Sequence, residues 1–157
     1  MARILALLLV RALLLSAADL TVTGVAAKDG APMPPLALSV ADLAAMPRVK
    51  VSVGSRTYEG VLAYEILKRA GQPFGDQMRR AQLLRYAVFS AHDGYRVLFA
   101  LPEFDPAFTD ARTPVADRVD GKPLPEGKGP LQLVIPGEKS AARSVYMLEK
   151  IEIRDTP

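Results

Sequence analysis

Apolar and polar residues alternate over Val49, Val51 and Val53 against Arg48, Lys50 and Ser52. That period of two predicts a half-buried strand. Gly54-Ser55 turns the chain, and Thr57-Tyr58-Glu59 returns as its hairpin partner. From Val61 the period lengthens. Leu62, Ile66, Leu67 and Ala70 fall on one stripe of a helix over 61–70, which Gly71 and Pro73 end. Leu84 to Ser90 and Tyr95 to Leu101 read as two strands joined by the turn His92-Asp93-Gly94. Leu20 to Gly24 reads as a first strand and 28–35 as a turn-rich connection. Ser39 and Asp42 frame a capping box for a short helix that must stop before Pro47. Pro102 to Asp105 starts a helical turn. Val115-Ala116, Leu131 to Ile135, Val145 to Met147 and Ile151 to Ile153 are strand-like. Many short strands and two helices make the predicted class α+β in one domain.

The N-terminal stretch has a different pattern. Arg3 precedes an apolar run from Ile4 to Leu15, broken only by Arg11, and Ser16-Ala17-Ala18 is a small-residue cleavage site. The run is shorter than the roughly 20 residues a membrane span needs. Its nine strongly apolar residues favour insertion by about 4 kcal/mol, and one central arginine returns about 3. Residues 1–18 are therefore expected to be a signal peptide, with 19–157 as the mature domain and a periplasmic or secreted location. Val25-Ala26-Ala27 offers a second cleavage site. Contact with a membrane is expected only through an uncleaved signal segment.

That reading changes the charge argument. The 157 residues include 20 basic and 17 acidic side chains, a net charge of +3. Removing Arg3 and Arg11 leaves 18 against 17, or +1. With no basic run interleaved with aromatics, no nucleic-acid partner is expected. The chain has no cysteine, so its core alone must hold it.

Candidate chemistry gathers at two loops. Asp93-Gly94-Tyr95 forms a hairpin tip, with Arg96 entering the next strand. Asp120 to Gly137 is a glycine-proline turn cluster leading into Leu131 to Ile135, the rim of a site over a β core. Beyond it, Gly137 permits close backbone approach, and Lys139 and Arg143 offer cations to an anion. Asp93, Tyr95, Arg96, Gly137, Lys139 and Arg143 are the expected ligand-binding residues. Glu103 and Asp105 fit a helix N-terminus. His92, the sole histidine, lacks zinc-type spacing, no Gly-x-Ser-x-Gly elbow is present, and no metal ligands are assigned.

The order of several short motifs resembles the oxidoreductase molybdopterin-binding domain, the central domain of sulfite-oxidase-like enzymes. They are Leu38-Ser39-Val40-Ala41-Asp42-Leu43, Tyr58-Glu59-Gly60-Val61, Ala91-His92-Asp93-Gly94-Tyr95-Arg96-Val97, Leu101-Pro102-Glu103-Phe104-Asp105-Pro106, Gly121-Lys122-Pro123-Leu124, Gly129-Pro130-Leu131 and Val134-Ile135-Pro136-Gly137. Together they cover roughly residues 20–154. The resemblance implies that domain's mixed fold and an ancestral molybdenum-cofactor site. Its members hold the metal through a cysteine thiolate on a loop after the strand that corresponds to Val49–Val53. Here Gly54-Ser55-Arg56 replaces that loop, and serine is a poor substitute for a soft thiolate. Tyr146 stands where the family leads one to expect a lysine. The resemblance thus implies an exported relative that has lost the metal site and acts as a small-anion or pterin-binding or accessory module. No cofactor is expected, and a periplasmic or membrane redox or sensor protein is the expected partner. The alternative is a molybdopterin-dependent oxidoreductase with non-cysteine ligation or a centre completed by a partner.

Overall fold

The computed structural model describes residues 19–27 and 29–157. The expected signal segment lies outside them, as does Lys28. Ten strands run in chain order: β1 Leu20–Thr23, β2 Leu36–Leu38, β3 Val49–Val53, β4 Arg56–Leu62, β5 Tyr86–Ala91, β6 Arg96–Ala100, β7 Pro114–Val119, β8 Lys122–Pro123, β9 Gln132–Leu133 and β10 Leu148–Arg154. Helix α1 spans Val40–Ala44 and α2 spans Ala63–Arg69. The strands form two sheets, β2-β1-β10-β5-β6 and β3-β4-β7-β8, with β9 also paired to β7. This is the α+β arrangement expected from the sequence.

Side chains from both sheets meet in one core. Leu20 and Val22 of β1, Phe89 of β5 and Ile151 and Ile153 of β10 join Val61, Val115 and Leu133 of the second sheet. Phe89, Phe99 and Phe104 form an aromatic cluster with centroids 5.4–5.5 Å apart. The strict alternation of buried and half-buried positions along β5 places every second side chain in that core.

Local signals are obeyed closely. The Ser39 hydroxyl accepts from the Asp42 N–H at 3.1 Å, and the Asp42 carboxylate accepts from the Ser39 N–H at 2.8 Å. That completes the predicted capping box. β3 and β4 pair in register from Val49↔Gly60 to Val53↔Arg56, so only Gly54 and Ser55 connect them, with Gly54 left-handed at φ 59°.

Non-local pairing accounts for the departures. Val61 and Leu62, expected in the helix, extend β4 by pairing with Val115 and Pro114, so α2 starts at Ala63. β7 is longer than the expected Val115-Ala116 because every residue of it except Asp117, at the register shift, pairs with β4, β8 or β9. Val145 to Met147 does not form a strand. Val145 makes one bridge to Leu133, and Met147 turns left-handed at φ 49°. Leu131 to Ile135 contributes only Gln132 and Leu133 to the ladder. β2 lies just beyond the turn-rich connection, in residues given no element by the sequence pattern, and forms by pairing with β1. β10 lies between β1, to which it is parallel, and β5.

Gly60 shows how tightly β4 and β7 approach. A Cβ there would lie 2.0 Å from the Val115 carbonyl oxygen and 2.6 Å from the Ala116 Cα. Arg48 ties the same strands from the side. It makes a two-pronged contact with Asp117 of β7 and a 3.2 Å bond to Glu59 of β4. The Asp117 hydrogen bonds hold its guanidinium above the ordinary arginine value.

Candidate functional site

The hairpin between β5 and β6 meets the segment between β9 and β10 at a cleft of about 320 Å³. Ala91, Asp93 and Tyr95 line one side, and Ala141, Ala142, Ser144 and Tyr146 the other. Local chemistry shapes both banks. Asp93 Oδ1 accepts from the Tyr95 N–H at 3.0 Å, the self-closing turn typical of aspartate, while Gly94 takes φ 87°. Across the cleft, Ser140 caps a short helical turn over Ala141–Arg143 by accepting from the Ala142 N–H at 3.2 Å. The Tyr95 hydroxyl donates to the Ala142 carbonyl and so joins the two banks.

Tyr146 is fixed by its neighbours. Val145 and Leu133 exchange backbone hydrogen bonds of 3.1 and 2.9 Å. The left-handed Met147 donates its N–H to the Lys128 carbonyl and accepts from the His92 N–H. One residue thereby links the hairpin, the glycine-proline loop and Tyr146. Lys128 Nζ lies 5.0 Å from the Tyr146 ring centroid, a cation–π contact. The cleft is lined by three alanines, a serine and two tyrosines besides Asp93. The one charged lining group is Asp93, whose Oδ2 has no partner among the described residues.

The six expected ligand-binding residues divide. Asp93 and Tyr95 line the cleft. Gly137, exposed at φ 81°, lines a neighbouring cleft of about 460 Å³ with Phe99, Phe104, Phe108 and Ile135. Arg143 lies on the capped turn, but its guanidinium is already engaged. It donates to Glu138 at 2.9 Å and Glu103 at 2.7 Å and lies 4.3 Å from the Phe99 ring centroid. Lys139 and Arg96 are exposed, and neither lines either cleft. A single basic cradle is therefore not assembled in this conformation.

Sequence reasoning left out the small lining residues and the carboxylates that hold Arg143. No local signal marks the contact with Glu103, since Glu103 and Arg143 are 40 positions apart. Glu103 also accepts from the Ala100 N–H at 2.9 Å, in keeping with its expected role at a helix start.

Metal-binding chemistry is sparse. The chain has no cysteine, and among the described residues no group of three or more His, Asp or Glu could hold a metal ion. His92 is exposed and bonds Glu149 through Nδ1 at 3.0 Å. The turn at Gly54-Ser55 is exposed, and the next residue, Thr57 beyond Arg56, is tied to Asp120 by bonds of 2.8 and 2.7 Å.

A sequence model of the oxidoreductase molybdopterin binding domain matches residues 40–157. No curated protein matches the chain.

Proposed function

The chain belongs to the oxidoreductase molybdopterin-binding domain family, and from that premise we propose that it is a member without a molybdenum site, acting as a binding or accessory module. The donor set supports this. Molybdenum in this family is held by a thiolate, and the chain offers none. The two-residue turn between β3 and β4 also leaves no loop on which a ligand could approach. Neither serine nor an isolated histidine supplies the soft, anionic donor this metal takes.

The observation that carries the binding role is the meeting of Tyr95, Tyr146 and Asp93 at one cleft. Two phenol rings offer flat walls, and a carboxylate oxygen without a partner accepts from ring N–H or amino groups. That combination suits a planar, pterin-like heterocycle better than a small inorganic anion, because the Arg143 fork is filled by Glu103 and Glu138. An anion would have to displace one of those carboxylates. Lys139 and Arg96 stand near in sequence to screen negative charge on a larger ligand. We also propose, from the sequence of residues 1–18, export to the periplasm or beyond, where a redox or sensor protein would be the partner.

The test is metal analysis together with ligand binding, on protein purified from cells that make molybdenum cofactor. We expect no stoichiometric molybdenum. Neopterin should raise the melting temperature, and inorganic phosphate should not. Asp93→Asn keeps the turn acceptor while removing the charge, and with Tyr146→Ala it should abolish the neopterin shift. Stoichiometric molybdenum would overturn the reading in favour of a redox enzyme with another ligand set.

A further inference from the structure

The cleft beside Gly137 has a chemistry of its own. Its volume of about 460 Å³ falls within the roughly 300–1,000 Å³ typical of small-molecule sites. Phe99, Phe104, Phe108 and Ile135 give it apolar walls, and its only charged lining residues are Glu103 and Glu138. A chamber of apolar walls with a single sign of charge favours a ligand of the opposite sign.

Phe108 is the unusual member of this set. It is 53% exposed, and its ring has no aromatic partner among the described residues. A loose loop does not explain that exposure. The carboxylate of Asp105, a buried residue, accepts from the Ala107 N–H at 2.9 Å and from the Gly75 N–H at 2.7 Å. The Asp105 carbonyl accepts from the Phe108 and Thr109 N–H groups at 2.9 and 3.1 Å. The backbone that presents the ring is therefore held at both of its neighbours and at Phe108 itself.

The walls already hold one cation. The Arg143 guanidinium lies 4.3 Å from the Phe99 ring centroid and donates to Glu103 Oε2 at 2.7 Å and Glu138 Oε1 at 2.9 Å. A ring face beside carboxylates is the surrounding an organic cation prefers. One guanidinium against two carboxylates leaves one negative charge over. Glu103 is fully used, because its Oε1 accepts from the Ala100 N–H. Glu138 Oε2 has no partner among the described residues.

We propose that this cleft binds a primary organic ammonium on an apolar body, of arylalkylamine size. The ammonium donates to Glu138 Oε2, the body packs on Phe108 and Ile135, and Arg143 stays in place. The same carboxylates turn away an anion. This site is separate from the cleft between Tyr95 and Tyr146 and does not rest on the pterin reading.

Phenethylamine is the probe, titrated into the protein and followed by calorimetry, with phenethyl alcohol and phenylacetate as its neutral and anionic counterparts. We expect saturable binding of the amine, and binding about tenfold weaker or less for the alcohol and the acid. Glu138→Gln keeps the shape of the side chain and should weaken the amine by about tenfold. Phe108→Ala should weaken it by about fivefold and, since Phe108 is exposed, keep the wild-type melting temperature. An alcohol that binds as tightly as the amine would show that apolar contact alone drives binding, and would overturn the proposal. So would a wild type that does not bind the amine, or a Phe108→Ala variant that binds it unchanged.

Discussion

Replacing Gly60 by alanine adds one methyl group where the protein has no room for it. The new Cβ would lie 2.0 Å from the Val115 carbonyl oxygen and 2.6 Å from the Ala116 Cα, and real Cβ contacts essentially never fall below 3.0 Å. The strands must part by about 1 Å at that point. Both obstructing atoms are backbone, so no side chain can rotate away to relieve the contact. The strain falls where the β4–β7 register already shifts between Glu59 and Gly60. It also threatens the Ala63 N–H bond to the Thr113 carbonyl that positions α2. Overpacking of this kind costs about 1–3 kcal/mol, and the rigid obstacle places Gly60→Ala at the upper end. For a domain of this size about 3 kcal/mol lowers the melting temperature by roughly 6–12 °C. Thermal melts followed by circular dichroism would measure it, with Gly94→Ala as comparison. At Gly94 a Cβ meets nothing within 4 Å but the φ is 87°, so only backbone strain of about 1–2 kcal/mol is expected. If Gly60→Ala melts within about 2 °C of wild type, or above Gly94→Ala, the close approach is not what selects glycine in the Tyr58-Glu59-Gly60-Val61 motif.

Arg85 and Asp155 form an ion pair of 2.8 Å in which the arginine side chain is 4% exposed and the aspartate 76%. Arg85→Met should cost about 2–4 kcal/mol in urea unfolding, because Gln72 and the Gly24 carbonyl lose a buried donor. Asp155→Asn should cost at most about 1, and the reverse order would show that the exposed charge dominates. The Asp42 carboxylate is held below its ordinary value of 3.8, first by the Ser39 N–H and then by the Ser39 hydroxyl. Its contribution is therefore full above that value and disappears as pH falls through the lower folded value. The stability difference between wild type and Asp42→Asn should shrink in acid, and a constant difference from neutral pH to well below the carboxylate range would refute that assignment.

What the sequence makes legible is what neighbours along the chain decide. Ser39 and Asp42 are three positions apart, and their capping box forms as expected. Asp93 and Gly94 make the predicted turn because the aspartate closes it on its own backbone. The start of α2 was misplaced because Val61 and Leu62 are apolar enough for a strand or a helix, and only their pairing with Val115 and Pro114 chooses. The place of Tyr95 at a hairpin tip was legible from Asp93-Gly94. That Tyr146 would face it depends on the left-handed Met147, a conformation that nothing in Val145-Tyr146-Met147 announces. Arg143 was legible as a cation, whereas its engagement by Glu103 and Glu138 is a product of tertiary structure.

The parallel pairing of β1 with β10 bears on how the molecule comes into being. Synthesis runs from the N-terminus, so the strand that completes the middle of the first sheet is the last of the ten to leave the ribosome. Until Leu148–Arg154 emerges, the β1–β2 and β5–β6 pairs have nothing between them, and each exposes one unpaired edge. A premature stop codon before Leu148 would leave two separate strand pairs in place of the first sheet rather than a shortened domain, and any tag joined downstream must leave that strand free to slot into place.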